Sequence, residues 1–264
     1  MSKTVSASAP RRYAVFRYYA ELNDFLPPER RFNSFRHDFE LSGSVKDAIE
    51  SMGVPHTEVE LILCKRTPVD FSHLVQDGDQ ISVYPAFRTL DLSPVLQLRA
   101  PLRTARFVID THLGRLATYL RMLGFDAFYE RTLGDKELSR ISQAKERILL
   151  TRDCGLLKRS AVVYGYFVRA TDPKQQVIEV LRRYNLFSAA SPFQRCLRCN
   201  VRLQPVSKDS IARRLQPKTS QHFEEFRICT ACGRIYWAGS HYEHMQRFVQ
   251  DVLAHENVCK LPRT

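Results

Sequence analysis

The chain has 264 residues, a formal net charge of +12 and seven cysteines. At roughly 150 residues per domain, this length predicts about two domains. The positive charge is unevenly distributed, because residues 1–98 carry a net charge of −2 and residues 99–264 a net charge of +14. A basic region of this strength favours a polyanionic partner such as nucleic acid, the alternative being a generally basic protein without one.

The sequence predicts neither a membrane-spanning helix nor a signal peptide. No run of 18 apolar residues predicts a membrane-spanning helix. Residues Met1–Pro10 lack the apolar core of a signal peptide. An odd number of cysteines, four of them in two Cys-x-x-Cys pairs, suits metal binding in a reducing compartment better than a disulfide framework. We therefore expect a cytoplasmic protein without membrane contact.

Residues 12–90 predict a small α+β domain of the β-grasp type. Alternating apolar residues indicate four strands, at 12–19, 32–39, 60–64 and 80–84. Between the second and third strands, Ser44 and Asp47 fit a capping box that begins a helix, and Gly53 ends it.

The last strand of this domain carries a first resemblance. The segment Leu74–Pro85 resembles the end of the ubiquitin-like sulfur carriers, which finish in a free diglycine. Here the chain continues through Ala86-Phe87-Arg88, so sulfur transfer is not expected. We interpret the domain as a module for protein interaction or substrate positioning, with a structural appendage as the alternative. Residues 91–104 contain two prolines and are taken as a linker.

Residues 105–187 alternate between strand and helix patterns, which predicts an α/β domain with a parallel sheet. The strands are expected at 107–109, 127–129, 148–150 and 166–168, and the helices at 113–123, 135–145 and 173–184.

Three aspartates of this domain form a candidate metal centre. Asp110 and Asp153 follow predicted strands, and the carboxyl ends of parallel strands meet at one edge of a sheet. Asp135 begins a predicted helix, where the helix dipole stabilises a carboxylate; Glu137 is the alternative, since the two residues point about 200° apart. Clustered carboxylates require a cation, and oxygen ligands suit Mg²⁺ or Mn²⁺.

Helix capping is the competing interpretation for each acid, and it is compatible with metal binding. Asp110 and Asp153 could cap the helices that follow them, and Thr132 to Asp135 fits a capping box. Four side chains are candidate substrate contacts, because arginine grips phosphate and a histidine near the last helix could reach it. They are Arg115, Arg121, Arg152 and His241. The alternative for the arginines is a solvated side chain or a partner for Asp110, and the alternative for His241 is an exposed or capping group.

Residues 188–255 contain the two cysteine pairs and a final helix through Leu253. Two Cys-x-x-Cys elements supply four thiolates, the ligand set of tetrahedral structural zinc. The ligands are Cys196, Cys199, Cys229 and Cys232. The 29 residues between the pairs exceed the usual spacing of a zinc ribbon, so a polar excursion is expected around Lys208–Gln221.

A second resemblance covers more than half of the chain. From Phe107 to about Leu253 the sequence resembles the Mut-seven C-terminal RNase family. The motifs that carry it are Val108–Asp110, Leu113–Asp126, Asp135–Leu138, Leu149–Asp153, the two cysteine pairs, Cys232–Trp237 and Gly239–Tyr242.

This resemblance implies a PIN-like nuclease domain followed by a zinc ribbon, with a ubiquitin-like domain in front. It also implies a single-strand-specific or structured-RNA endoribonuclease that uses Mg²⁺ or Mn²⁺, with Asp110, Asp135 and Asp153 as its acids. A protein partner is expected for the ubiquitin-like domain. PIN-type sites usually contain four acids, and the motifs supply three. An inactive RNA-binding adaptor is the alternative function.

Overall fold

The computed structural model describes residues 12–86, 98–100, 102 and 104–259. Of residues 257–259 it describes the backbone only. The chain divides into two compact units. The first unit comprises Met1–Leu102 and Asp153–Phe167, and the second comprises Arg103–Arg152 and Val168–Thr264.

The secondary structure begins with strands, then alternates, and ends in a long helix. The strands are β1 (Arg12–Tyr18), β2 (Ser34–Phe39), β3 (Val59–Cys64), β4 (Thr67–Pro68), β5 (Gln80–Pro85), β6 (Arg106–Ile109), β7 (Asp126–Tyr129), β8 (Ile148–Thr151), β9 (Gly165–Phe167), β10 (Gln204–Val206), β11 (Phe226–Ile228) and β12 (Ile235–Tyr236). The α-helices are α1 (Val45–Ser51), α2 (Gly114–Met122), α3 (Asp135–Ala144), α4 (Cys154–Leu157), α5 (Pro173–Arg183), α6 (Lys208–Ile211), α7 (Pro217–His222) and α8 (Ser240–Leu253).

The first unit contains a mixed five-stranded sheet in the order β2-β1-β5-β3-β4. Strands β1 and β5 are parallel, and the other pairings are antiparallel. The predicted capping box is confirmed, because the Ser44 hydroxyl accepts the Asp47 N–H at 3.1 Å. Alternate residues of β1, including Phe16 and Tyr18, are fully buried with Ile49 of α1, so the two elements share one core. The short strand β4 had no sequence signal.

A segment from the predicted α/β domain packs in the first unit. This segment, Asp153–Phe167, contains α4 and β9. Its Lys158 ammonium donates to the Glu50 carbonyl at 2.8 Å. The buried Glu58 carboxylate accepts the Phe167 N–H at 2.6 Å. These bonds attach the middle of the segment to α1 and its last residue to Glu58, directly before β3.

Part of the predicted linker is attached to the same unit. The Arg99 guanidinium donates to the carbonyls of Thr57, Val163 and His56 at 3.0–3.2 Å, and also to that of Val59. Residues 87–97, which include the first part of the predicted linker, lie outside the described residues.

The second unit contains a parallel sheet with the neighbouring strands β7-β6-β8. Ile109 of β6 pairs with Tyr129 of β7 on one side and with Leu150 of β8 on the other. Phe107, Val108 and Ile109 are fully buried, as expected for a parallel strand covered on both faces. The predicted alternation of strands and helices is confirmed, with shifts of at most one residue at the ends of the predicted elements.

The rest of the second unit holds an antiparallel three-stranded sheet, β10-β11-β12, followed by α8. The expected polar excursion at Lys208–Gln221 is largely helical, because it contains α6, a short 3₁₀ turn and most of α7. In the ranges that the structure describes, no helix has the length and apolar character needed to cross a bilayer.

The Glu58 contact provides a test of how the segment is held. Glu58→Ala should lower the free energy of unfolding by about 1–3 kcal/mol, because it leaves the Phe167 N–H without its carboxylate. Hydrogen–deuterium exchange should become faster at Gly165–Phe167. Glu40→Ala, which changes an exposed carboxylate, should leave both measurements unchanged. Equal effects of the two substitutions would contradict this role of Glu58.

Candidate active site and metal centre

Asp110 lies directly after β6, at the carboxyl end of the parallel sheet, and is 7% exposed. Its Oδ2 accepts a hydrogen bond of 2.6 Å from the Thr151 hydroxyl, and its Oδ1 accepts one of 3.2 Å from Thr111. Its backbone N–H donates to the Leu150 carbonyl at 3.0 Å. Asp110 precedes a 3₁₀ turn, but its side chain makes no capping hydrogen bond there. Side-chain capping therefore does not explain the position of this carboxylate.

The structure forms no ion pair with Asp110 among the residues that it describes. Burying a carboxylate without a cation is costly, since hydroxyl donors replace only part of its hydration. A site of this kind is suited to a bound metal ion.

Asp135 is the first residue of α3 and is exposed. The residue that caps this helix is Gly134, and no side chain makes a capping hydrogen bond, so the capping box predicted from Thr132 to Asp135 is wrong. Glu137, the alternative ligand, forms an ion pair of 2.6 Å with Arg140 on the surface of the helix. Hydrogen bonding to Arg140 lowers the pKa of Glu137 from its usual value. These contacts favour Asp135 over Glu137 as the candidate ligand.

Asp153 caps helix α4, as the competing interpretation predicted. Its Oδ1 accepts the backbone N–H groups of Gly155 at 2.7 Å and Leu156 at 3.3 Å. Asp153 begins the segment that belongs to the first unit, whereas Asp110 and Asp135 belong to the second.

Two groups of potential metal ligands stand out among the described residues. Each has at least three His, Cys, Asp or Glu ligand atoms within 4.8 Å of one another. One group is the four predicted zinc ligands, and the other is Cys64, His73 and Asp79. None of the three predicted aspartates belongs to either group, so their shared metal centre stays a prediction.

The sheet register identifies another acid that the sequence patterns did not single out. Because Ile109 pairs with Tyr129, the next residues, Asp110 and Glu130, follow equivalent positions of neighbouring parallel strands. Glu130 is exposed. In the sequence, Glu130 is recognisable only as an acid that follows a short predicted strand. It becomes a candidate ligand only when that strand, β7, is known to be the neighbour of β6.

The predicted arginine contacts differ in their surroundings. Arg115 is exposed on α2, and Arg152 is exposed while its Nη1 donates to the carbonyls of Val168, Arg169 and Ala170 at 2.8–3.0 Å. His241 is exposed in the first turn of α8. Substrate contacts by Arg115, Arg152 and His241 stay predictions.

Arg121 is buried, with 5% exposure, and two of its three guanidinium nitrogens, Nε and Nη1, bind backbone carbonyls of the second unit. It donates to Ala127 of β7 at 2.8 Å and to the carbonyls of Leu197 and Arg198 at 3.0 and 2.8 Å. Burial lowers the pKa of Arg121. In place of the predicted substrate contact we assign Arg121 a structural role, because its donors already bind backbone carbonyls.

The carbonyls bound by Arg121 lie inside the first cysteine pair, so this arginine connects α2 to the cysteine cluster. A second connection runs through Asp126, which forms an ion pair of 2.6 Å with Arg147 and accepts from Asn200 at 2.8 Å. Burial opposes ionisation, but hydrogen bonds from Arg147 and Asn200 lower the pKa of Asp126. The cysteine cluster is thus attached to the parallel sheet by charged groups.

The four cysteines converge from two chain turns that resemble each other. The N–H of Asn200 donates to the Cys196 carbonyl, and that of Gly233 to the Cys229 carbonyl, at 2.9 and 2.8 Å. Asn200 and Gly233 have positive φ angles of 66° and 69°, a conformation that asparagine and glycine tolerate best. Each Cys-x-x-Cys pair therefore ends in the same tight turn.

The geometry of this cluster fits zinc. Zn–S bonds of about 2.3 Å in a tetrahedron place sulfur atoms about 3.8 Å apart. Cys196 Sγ and Cys232 Sγ are 3.7 Å apart. Burial alone would raise the pKa of Cys196, but the Tyr236 hydroxyl, 3.1 Å from its sulfur, and nearby backbone N–H groups lower it to about 7. A thiol of this acidity deprotonates readily, and the thiolate is the form that binds metal.

The second ligand group has a simpler explanation than a metal. Asp79 is buried and already forms an ion pair of 2.9 Å with Lys65. It also accepts the Gln76 N–H at 2.8 Å, in the turn before β5. This carboxylate is therefore balanced by an ammonium group and serves the turn.

The cysteine cluster leads to a test of metal content. Cys229→Ser should reduce the bound zinc from one ion per chain to well below one, since a tetrahedral site loses one of four thiolates. Elemental analysis of the purified protein measures the ratio. Cys154→Ser, outside the cluster, should retain the zinc. Full zinc content in Cys229→Ser would contradict the assignment.

The two arginines of α2 provide a second test. Arg121→Met should lower the free energy of unfolding by at least about 2 kcal/mol, because three carbonyls lose a charged donor. Arg115→Met should leave stability unchanged and weaken RNA binding, as measured by fluorescence anisotropy at low salt. Unchanged stability together with weakened RNA binding in Arg121→Met would instead support a substrate contact by Arg121.

Comparison with known protein families agrees with this organisation. The family model described as Mut7-C RNAse domain matches residues 105–249, and the model described as Mut7-C ubiquitin matches residues 11–91. No curated protein and no solved structure gave a match. The first model covers more than half of the chain and includes both the parallel sheet and the cysteine cluster. The chain belongs to the Mut7-C RNase domain family and carries the family's ubiquitin-like domain in front of it.

Proposed function

We propose that this protein is a divalent-metal-dependent ribonuclease that hydrolyses phosphodiester bonds within RNA. One observation carries the proposal: a buried carboxylate, Asp110, lies at the carboxyl end of a parallel strand in a chain of an RNase family. Open α/β sheets bind their ligands at this edge. The net charge of +14 over residues 99–264 supports an RNA substrate, since a basic surface attracts the phosphate backbone.

The proposed metal ligands are Asp110, Asp135 and Asp153, and we add Glu130 as the candidate fourth acid. Carboxylate oxygens are the ligands that Mg²⁺ and Mn²⁺ prefer. When bound, such an ion would activate water and stabilise the negative charge of the phosphoryl transition state.

Other side chains of the protein would orient the Asp110 carboxylate and attract the phosphates of the RNA. The Thr151 hydroxyl donates to one oxygen of Asp110 and holds this carboxylate in a single orientation at the sheet edge. Arg115 and Arg152 are exposed and, with His241, are the proposed substrate contacts. Arginine side chains bind phosphate oxygens through paired N–H groups, which would position the scissile bond.

The remaining parts of the chain have supporting roles in this proposal. The parallel-sheet domain would have a PIN-like fold. The β10-β11-β12 sheet with its four cysteines would be a zinc ribbon whose Zn²⁺ ion is structural. The ubiquitin-like domain would bind a protein partner.

A second candidate function is an RNA-binding adaptor without catalysis. Two observations favour it: Asp153 Oδ1 accepts the first N–H groups of α4, and no group of clustered ligands among the described residues contains the three aspartates. An adaptor would keep the basic surface and the zinc site but would not need a metal at Asp110.

Asp110→Asn distinguishes the two functions. Asparagine retains an oxygen that can accept from Thr151 but loses the negative charge, so folding should be preserved. Cleavage of single-stranded RNA in Mn²⁺ should fall by about 100-fold or more, because several kcal/mol of metal-dependent stabilisation are lost. Gel analysis of a labelled oligonucleotide measures the rate.

Asp209→Asn serves as the matched control, since Asp209 is exposed in α6 and should leave cleavage unchanged. Unaltered cleavage by Asp110→Asn would reject the proposed centre. RNA binding by the parent protein without any product in Mg²⁺ or Mn²⁺ would select the adaptor.

A further inference from the structure

The cysteine-rich part of the second unit contains a cavity of about 260 Å³ that the proposed catalytic centre does not use. Its walls combine aromatic rings with polar groups. The aromatic side chains are Phe193, Tyr236, Trp237 and Tyr242. The polar side chains include Gln194, Arg195, Glu225 and Arg227.

The aromatic wall presents exposed ring surface. The Phe193 and Tyr242 rings pack with centroids 4.6 Å apart and planes tilted by 47°. Trp237 lines the cavity and is 40% exposed. An exposed indole next to other rings is a ready stacking surface for a flat, unsaturated ligand.

The polar groups of the cavity are held in place rather than loose. The Gln194 carbonyl oxygen accepts from Arg227 Nη1 at 2.9 Å, and the Gln194 amide nitrogen donates to the Pro192 carbonyl at 3.4 Å. Arg195 donates to Gly124 and Asn200 carbonyls at 3.0 and 2.7 Å, so it serves as a support. Gln194 and Arg227 therefore offer fixed hydrogen-bonding groups beside the rings.

The zinc site supports this cavity directly. Tyr236, which lines the cavity, has its hydroxyl 3.1 Å from Cys196 Sγ. Leu197, inside the first cysteine pair, lines the cavity as well. The wall is therefore rigid as long as the cysteine cluster is intact.

Size and charge identify the ligand class. Drug-sized ligands occupy pockets of about 300–1,000 Å³, so this cavity suits a smaller planar group. Residues 191–250 contain ten Lys and Arg against four Asp and Glu, which favours a ligand attached to a polyanion. Proteins bind single-stranded nucleic acid by combining basic surfaces with aromatic rings on which bases stack.

We propose that this aromatic cavity binds one unpaired nucleobase of single-stranded RNA, stacked against Trp237 beside Tyr242. Gln194 and Arg227 would contact the edge of the base. The inference rests on the proposed ribonuclease function and deepens it, because it makes unpaired rather than double-stranded RNA the substrate. In a duplex the bases are stacked and paired, so none is free to enter the cavity.

Trp237 makes the test direct, because it is the single tryptophan of the chain. The full-length, zinc-loaded Asp110→Asn protein is titrated with a short single-stranded RNA while tryptophan emission is recorded. The same titration is made with an abasic oligomer of equal phosphate number and with a duplex of equal length. We expect saturable quenching by the single strand, and binding of the abasic oligomer about tenfold weaker or more.

Variants locate the site. By anisotropy of labelled RNA, Trp237→Ala and Tyr242→Ala should each weaken binding about tenfold, whereas Trp237→Phe should restore most of the affinity by keeping a ring. Phe32→Ala, which removes an exposed aromatic ring of the first unit, should bind as the parent does. Zinc content and circular dichroism confirm that each variant is folded.

Three results would overturn the proposal. They are equal affinity for the abasic oligomer, unchanged Trp237 emission on RNA binding, and unchanged RNA affinity of the folded Trp237→Ala and Tyr242→Ala variants. Cleavage by the parent protein is measured separately. If the protein cleaves RNA but Trp237 emission does not change, only the base-binding proposal is rejected. If RNA quenches Trp237 emission but is not cleaved, only the proposed hydrolase function is rejected.

Discussion

The hydrogen bond from the Thr151 hydroxyl to the buried Asp110 carboxylate joins the ends of two neighbouring parallel strands. It exists because β6 and β8 are aligned so that Asp110 and Thr151 follow paired residues. The bond orients a charge that burial makes costly. A cation at this position would offset that cost, which is why the proposed chemistry centres on Asp110.

The second unit depends on charged groups that connect its sheet to the cysteine cluster. Arg121 reaches from α2 into the first cysteine pair, and Asp126 links Arg147 of the sheet to Asn200 behind that pair. A small cysteine-rich module alone has little apolar core, so these bonds to a larger sheet add to its stability. Sequence position suggested a phosphate contact for Arg121, whereas its burial assigns it to the architecture.

The cysteine cluster in turn shapes the aromatic cavity. Tyr236 lies with its hydroxyl 3.1 Å from Cys196 Sγ and also lines the cavity, so it connects the cysteine cluster to the proposed base site. A structural metal would then have a functional consequence, because losing it would release one wall. If both proposals hold, the cysteine-rich part would contribute to substrate choice, whereas the proposed catalytic acids lie elsewhere.

Much of the fold was predictable from local patterns, because alternating apolar residues mark strands and the Cys-x-x-Cys spacing marks a ligand set. Both parallel β6 pairings, the capping box at Ser44 and the convergence of four cysteines agree with such patterns, or with the expectation built on them.

Other features depend on residues far apart in the chain. The equivalence of Glu130 to Asp110 requires the strand order, and the burial of Arg121 requires carbonyls 76 and 77 residues away. Likewise, the packing of Asp153–Phe167 in the first unit depends on contacts such as that of Glu58 with Phe167, 109 residues apart. The sequence by itself determined which elements form and which thiolates can bind zinc, since those depend on short-range spacing. Only the tertiary structure decided which charges are buried, paired or left facing a cavity, because burial and pairing are set by long-range packing.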